Sequence, residues 1–205
     1  MKKRDIGTQN LNKILQNALN PKSPLKNEYE TKFRIYREDD RVIHVKNDYE
    51  KKWIDESKME GSGIFNGDTG VIQSVNVCDK ILTVLFDDGK KAVYNFDELG
   101  ELEHAFALTI HKSQGSEYPC IILPIHHTAP MLLTRKILYT AITRAKKLLV
   151  IIATQNTIRK MVDNIFEEER NSTLKEKLLM FKELLTSDDS DDEDKIDTES
   201  TLSVD

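Results

Sequence analysis

Between Thr8 and Pro21 the apolar residues Leu11, Ile14, Leu15 and Leu19 recur at helical spacing, with Thr8 as a cap and Pro21 as a stop, so a short amphipathic helix is predicted. The run DRVIHVKND follows, where Val42, Ile43 and Val45 mark a β-prone segment ending at the polar stretch NDYEKKW. The texture changes between Gly61 and Gly100. GSGIFNGDTGVIQSVN carries an Asn66-Gly67 turn signal and a short apolar alternation, and ILTVLFDDGKKAVYNF reads as two strands joined across Asp88-Gly89. Short strands and tight turns in so few residues predict a small β-barrel inserted in a larger fold. Phe65, Phe86, Tyr94 and Phe96 are spaced as its core, which suits them better than the alternative of base-stacking platforms.

Beyond Gly100 strands alternate with helices. AFALTI, CIILPI and LLVIIAT (from Leu148) are predicted strands, and continuous apolar strands flanked by helices predict an α/β fold with a parallel sheet covered on both faces. Between the last two, Ile137, Leu138, Ala141, Ile142 and Ala145 form one helical stripe about 140° wide, and Arg144 falls just outside its edge. A C-terminal helix is expected over 171–187, with Leu174, Leu178, Phe181 and Leu185 on one side. Residues 188–205 carry too little apolar content to fold and are expected to be a disordered acidic tail.

A chain of 205 residues allows one good core, or a core with a small satellite. Its basic start lacks the apolar stretch of a signal peptide, and no run of about 18 apolar residues occurs, so a cytoplasmic protein without a membrane span is expected. Cys78 and Cys120 lie in β-like apolar surroundings without metal-site spacing, and are read as packing residues of a reduced compartment. The net charge of -5 misleads, because nine acids against one lysine fall in the tail from Asp188 onward. The remainder is mildly basic, which is compatible with a polyanionic partner.

The candidate chemistry lies in IHKSQGSEYP, between AFALTI and CIILPI. In an open α/β sheet ligands bind at the carboxyl ends of strands. There Gly115 lets backbone approach a ligand, Lys112 and His111 suit phosphates, and Glu117 suits a ribose hydroxyl. On local chemistry alone a solvated crossover stands equally open. The same holds for Arg144, which is either a cleft-edge guanidinium or ordinary helix-dipole chemistry. The acids of LTVLFDDG mimic a Walker B strand, but Asp87, Asp88 and Gly89 are read as a hairpin turn because another β-like run follows at once. No GxxxxGK[ST] loop occurs to cradle β- and γ-phosphates.

Taken together, ALTIHKSQGSEYP and LLTRKILYTAITRAKKLLVII resemble motifs V and VI of superfamily 1 helicases, specifically RecD-like helicases with their UvrD-like C-terminal domain. GTQNLNKILQNALNP and DRVIHVKNDYEKKW through IFNGDTG resemble the RecD-like sequence that leads into an SH3-like insertion, so the likeness covers about residues 5 to 155. It implies a second RecA-like domain, with residues 1–60 as its first part, 61–100 as an SH3-like β-barrel insertion and 101–170 as its remainder. It also implies Arg144 as an arginine finger, Gln114, Gly115 and Glu117 as nucleotide contacts, and Thr109, His111 and Lys112 as contacts to single-stranded DNA. Asn47 and Tyr49 are further DNA candidates by position, and no metal-binding residues are expected.

On the resemblance, the chain is expected to be the C-terminal motor half of an ATP-dependent 5′ to 3′ DNA helicase serving repair or recombination. Met1 would then be an internal methionine or an introduced start. ATP with Mg²⁺ would be held mainly by an N-terminal RecA-like domain, and the chain alone would not hydrolyse ATP. Nuclease or repair proteins are further expected partners. A second reading is a non-catalytic nucleic-acid-binding module left by a split or degenerate helicase gene. A third, an interaction protein acting through its last helix and acidic tail, rests on composition.

Overall fold

Helix α1 (Thr8–Leu19) forms where the periodicity predicts it, but it turns its polar side inward. Asn12, Gln16 and Asn20, four residues apart and therefore on one face, are 8%, 4% and 3% exposed, whereas Ile14 and Leu19 are exposed. The reason lies in what the helix packs on. The Asn12 amide donates to the carbonyls of His104 (3.1 Å) and Ala107 (2.9 Å), and its oxygen accepts from the Ala107 N–H (2.7 Å). Gln16 donates to the Ile35 carbonyl (2.8 Å) and to Asp40 (2.6 Å), while Asn20 donates to the Glu38 carbonyl and to Asp40, both at 2.8 Å. Irregular backbone must be satisfied when buried, and an apolar stripe has nothing to offer it. Gly7, not Thr8, is the N-cap.

This computed structural model describes residues 7–126, 129–165 and 177–182, in a first unit over 1–165 and a second over 166–205. In the first unit, strands β1 (Glu28–Glu30) and β2 (Ile35–Arg37) make an antiparallel hairpin. Strands β3 (Arg41–His44), β4 (Asp48–Ile54), β5 (Glu60–Ile64), β6 (Thr69–Asn76), β7 (Ile81–Phe86), β8 (Lys91–Asn95) and β9 (Leu102–His104) form one antiparallel sheet. Its order is β5-β4-β8-β7-β6-β3-β9. NDYEKKW, read from sequence as a polar break, is thus part of β4: it pairs with β5 and β8 despite its charges, because a strand needs only one buried face. Its buried positions are Lys51, whose ammonium lies 4.1 Å from the Tyr94 ring centre, and partly Trp53.

The alternation in β7 and β8 puts Leu82, Val84, Phe86, Ala92 and Tyr94 inward, where they meet Val42, Ile64 and Ile72. Phe96 is partly buried and stacks on Tyr29 at 3.7 Å. Phe65 departs from the expected core set: it lies just past β5 and is 41% exposed. The acids of LTVLFDDG occupy the turn between β7 and β8, where Gly89 has φ +88° and Asp87 binds the Arg41 guanidinium through both oxygens (2.7 and 2.8 Å).

The AFALTI strand does not form. Residues 105–109 have no ladder partner, since Ala107 spends both backbone groups on Asn12, and Ile110–Ser113 is a 3-10 turn. CIILPI lies in β10 (Tyr118–Pro124), which pairs in parallel with β11 (Ala145–Ile152). Helices α2 (Arg135–Ile142) and α3 (Gln155–Asp163) cover one face, packing Leu138, Ile137, Met161 and Ile158 on Leu123, Ile125 and Ile151. Among the described residues the parallel sheet has two strands, and Ile122, Leu148, Val150 and Ile152 on its other face are exposed, unlike the doubly covered sheet expected. Cys78 and Cys120 are exposed too: one sits in the β6–β7 turn and the other on that open face, so neither packs.

Among the described residues no helix is long and apolar enough to cross a membrane. In the second unit, residues 177–182 are helical. The rest of the expected 171–187 helix and the acidic tail 188–205 lie outside the described residues.

Candidate nucleotide and nucleic-acid site

IHKSQGSEYP is built as a capped turn, a glycine kink and the start of a strand. Thr109 accepts from the Lys112 N–H (3.4 Å) through its hydroxyl, capping the 3-10 turn that carries His111 and Lys112. Gly115 has φ +85°, a conformation costing other residues about 1 kcal/mol or more, and nothing stands within 4 Å of where a side chain would be. The constraint there is backbone direction, since the kink sends the chain from the turn into β10.

His111, Lys112 and Gln114 line a cleft of about 450 Å³, joined by Glu103 and, across it, by Val45, Asn66 and Gly67. Ionic and amide contacts tie its lining residues to their neighbours. Glu103 sits between two cations, Lys112 at 2.6 Å and Arg34 at 3.3 Å. Opposite, the Asn47 side-chain oxygen accepts from the Asn66 N–H (2.9 Å). Asn47 therefore fixes the FNGDTG turn. Tyr49, two residues on, is 69% exposed and meets Phe65 edge to face at 5.5 Å.

Arg144 sits elsewhere. Helix α2 starts under a Thr134 cap and ends at Ile142, so Arg144 and Ala145 are not on its stripe; Ala145 opens β11. The Arg144 carbonyl accepts from the Tyr118 N–H (2.8 Å), which locks the end of IHKSQGSEYP to the end of the TRAKK segment. Its guanidinium donates to the Ser116 carbonyl and to the Thr143 hydroxyl, both at 3.3 Å, and its buried Nε has no hydrogen-bond partner among the described residues. Two long contacts to neutral oxygens leave this charge with capacity for an anion. Beside it Glu117 pairs with Lys146 at 3.0 Å, both largely in solvent, a pair of little energetic weight.

The sequence-predicted residues thus fall into two groups. His111, Lys112 and Gln114 belong to the cleft, with Thr109 capping the turn that carries them and Asn47 bonded to its Asn66 wall; Tyr49 meets the neighbouring Phe65, while Gly115 leads to Glu117 and Arg144 at the β10–β11 junction. Gln114 and Glu117, assigned one role from sequence, are on different sides of the glycine kink. Sequence reading missed Arg34, Glu103, Asn66 and Ser116. Asn66 was legible only as a turn signal, and nothing in the local pattern marked the others.

Two family models match successive segments of the chain. The ATP-dependent RecD-like DNA helicase SH3 domain matches residues 11–86, and the UvrD-like helicase C-terminal domain matches residues 104–152. The chain belongs to the RecD-like helicases. Its matched segments correspond to a C-terminal part of that family.

Among relatives, an uncharacterized protein of Methanocaldococcus jannaschii is 34% identical over 145 residues, covering 65% of this chain and 12% of its own. The ATP-dependent RecD2 DNA helicase of Deinococcus radiodurans is 33% identical over 150 residues, covering 71% of this chain and 18% of its own. The RecBCD enzyme subunit RecD of Mycolicibacterium smegmatis is 35% identical over 103 residues, covering 50% of this chain and 18% of its own. The chain therefore spans less than a fifth of the length of these relatives.

Proposed function

We propose that this chain is the C-terminal motor part of an ATP-dependent DNA helicase working 5′ to 3′ in repair or recombination, with Arg144 as its arginine finger. The observation that carries this reading is the state of Arg144: a guanidinium with a partnerless buried Nε, bonded only to neutral oxygens, at the joint of the two helicase-like motifs. Phosphoryl transfer is accelerated by positive charge placed on the transferring group, and an arginine supplied across a domain boundary is worth about 10³ to 10⁵ in rate. The residues at the β10–β11 junction suit a triphosphate: Arg144 would meet its terminal phosphate and Gly115 and Glu117 would meet the nucleotide, whereas Gln114, expected from the resemblance to join them, lies in the cleft and passes to the DNA side. ATP supplies the phosphoryl group when bound. Among the described residues no cluster of three or more His, Cys, Asp or Glu side chains is placed to hold a metal. Mg²⁺ and most phosphate contacts would come from an N-terminal RecA-like domain.

Thr109, His111, Lys112, Asn47 and Tyr49 form the single-stranded DNA side, and the Gly115 kink connects it to the nucleotide side. Nuclease or repair proteins are proposed as further partners by the family alone. The test is reconstitution. Mixed with an N-terminal RecA-like helicase part, this chain should confer DNA-stimulated ATP hydrolysis that neither shows alone; no turnover in the mixture would overturn the motor reading and favour a DNA-binding module.

A further inference from the structure

We propose that Tyr49 and Phe65 together form a base-stacking platform for single-stranded DNA at the edge of the cleft lined by His111 and Gln114. This rests on the DNA side of the reading above and adds to it a residue, a chemistry and a specificity. Large aromatic rings in a sheet of this size are normally core, as Tyr94 and Phe86 are at 0% and 3% exposure. Tyr49 and Phe65 are 69% and 41% exposed and touch each other edge to face at 5.5 Å, spending little ring surface on the contact.

Their outward position is built. Asp48 accepts from the N–H groups of Glu50 and Lys51, both at 3.0 Å, where the β4–β5 register shifts, and this bulge brings Tyr49 out of the ladder. Phe65 is fixed by a turn in which its N–H donates to the Asp68 carboxylate (2.8 Å) and its carbonyl accepts from the Asp68 N–H (3.0 Å). Gly63, at φ +105°, makes room for the ring: a side chain there would begin 3.1 Å from the Phe65 Cζ. Two unrelated devices therefore hold two rings at one exposed place.

The occupant follows from the neighbours. Phe65 adjoins Asn66, a wall of the cleft, which Asn47 ties back to the loop preceding Tyr49. The same cleft is lined by His111, Gln114 and Lys112, whose ammonium pairs with Glu103. Rings beside these donors suit a ligand with π faces and a phosphate backbone. Duplex DNA keeps its base faces stacked internally, so the platform selects single strands, and without regard to sequence because every base has such a face.

The test uses the full chain and two fluorescent oligonucleotides of equal length and charge, oligo(dT) and its abasic counterpart, read by anisotropy at fixed salt. The platform predicts at least about tenfold tighter binding of oligo(dT). Tyr49→Ala and Phe65→Ala should each lose most of that preference while abasic binding stays within twofold. Phe65→Trp should keep it and show indole quenching on binding, which covers the case in which an alanine variant fails to fold. Equal affinity of the unaltered chain for both oligonucleotides would overturn the platform and leave the motor reading standing. Absence of binding to either would overturn both the platform and the DNA side of that reading, and would leave the exposed rings to a protein partner.

Discussion

The Arg144 guanidinium reaches the Ser116 carbonyl at 3.3 Å across 28 residues of sequence, and the Arg144 carbonyl accepts from Tyr118 two residues further on. One residue thus holds the end of the HKSQGSE segment with both its side chain and its backbone, so anything that draws the guanidinium outward pulls on the segment carrying the DNA candidates.

Arg144→Ala is expected to lower DNA-stimulated ATP hydrolysis of the reconstituted helicase by about 10³-fold or more while changing single-stranded DNA affinity less than about twofold. Arg144→Lys should recover little, because a lysine offers a point charge without the planar fork. Steady-state turnover and anisotropy measured on the same preparations check this, and unchanged turnover would refute the finger assignment.

Glu103 is the carboxylate between Lys112 and Arg34. Glu103→Gln is expected to free both cations for phosphate, tightening single-stranded DNA binding several-fold and steepening its salt dependence by about 0.7 in the log–log slope per phosphate gained. Titrations over a series of salt concentrations decide it; a flatter slope would mean that the cleft does not meet the backbone.

Asp40 is fully buried and gathers Gln16, Asn20 and the Arg37 N–H, with His104 at 3.4 Å. Asp40→Ala strips the acceptor from the buried Arg37 N–H and from one N–H each of the Gln16 and Asn20 amides, and is expected to cost about 3 kcal/mol or more of stability. Ile14→Ala, on the exposed side of the same helix, should cost within about 0.5 kcal/mol. Urea unfolding of both variants tests the inverted helix, and the opposite ranking would disprove it.

His44 is completely buried, and burial holds its imidazole below the ordinary value of 6.5; nearby Glu101, Asp48 and Asp68 oppose this, and Lys51 reinforces it. A depressed value means that the unfolded chain binds the proton first. The stability it contributes is therefore complete above about 6.5 and declines as pH falls through that value toward the folded one. Melting temperature should drop between pH 7.5 and 5.5, and His44→Gln should flatten that slope. Glu28, Asp87 and Glu98 have carboxyls held below their usual range, so their losses come only in more acidic solution.

Much of this protein was written locally. The β7–β8 hairpin follows from alternation and the Asp88-Gly89 turn signal, and the parallel pairing of CIILPI with LLVIIAT follows from apolar runs flanked by helices. The adjacency of the Gly115 segment to Arg144 came from motif resemblance, since no periodicity relates residues 28 apart. Tertiary structure alone decided which face of α1 is buried, because hydrophobic spacing records amphipathicity and not the chemistry of the surface met; here that surface is unpaired backbone, and Asn12, Gln16 and Asn20 satisfy it. It likewise turned AFALTI from a strand into a bracket around Asn12, and brought Phe65 out of the expected core. Sequence determined the elements and the residue types that carry the chemistry; the fold determined which of them share a cleft, because that depends on hydrogen bonds between segments up to 95 residues apart.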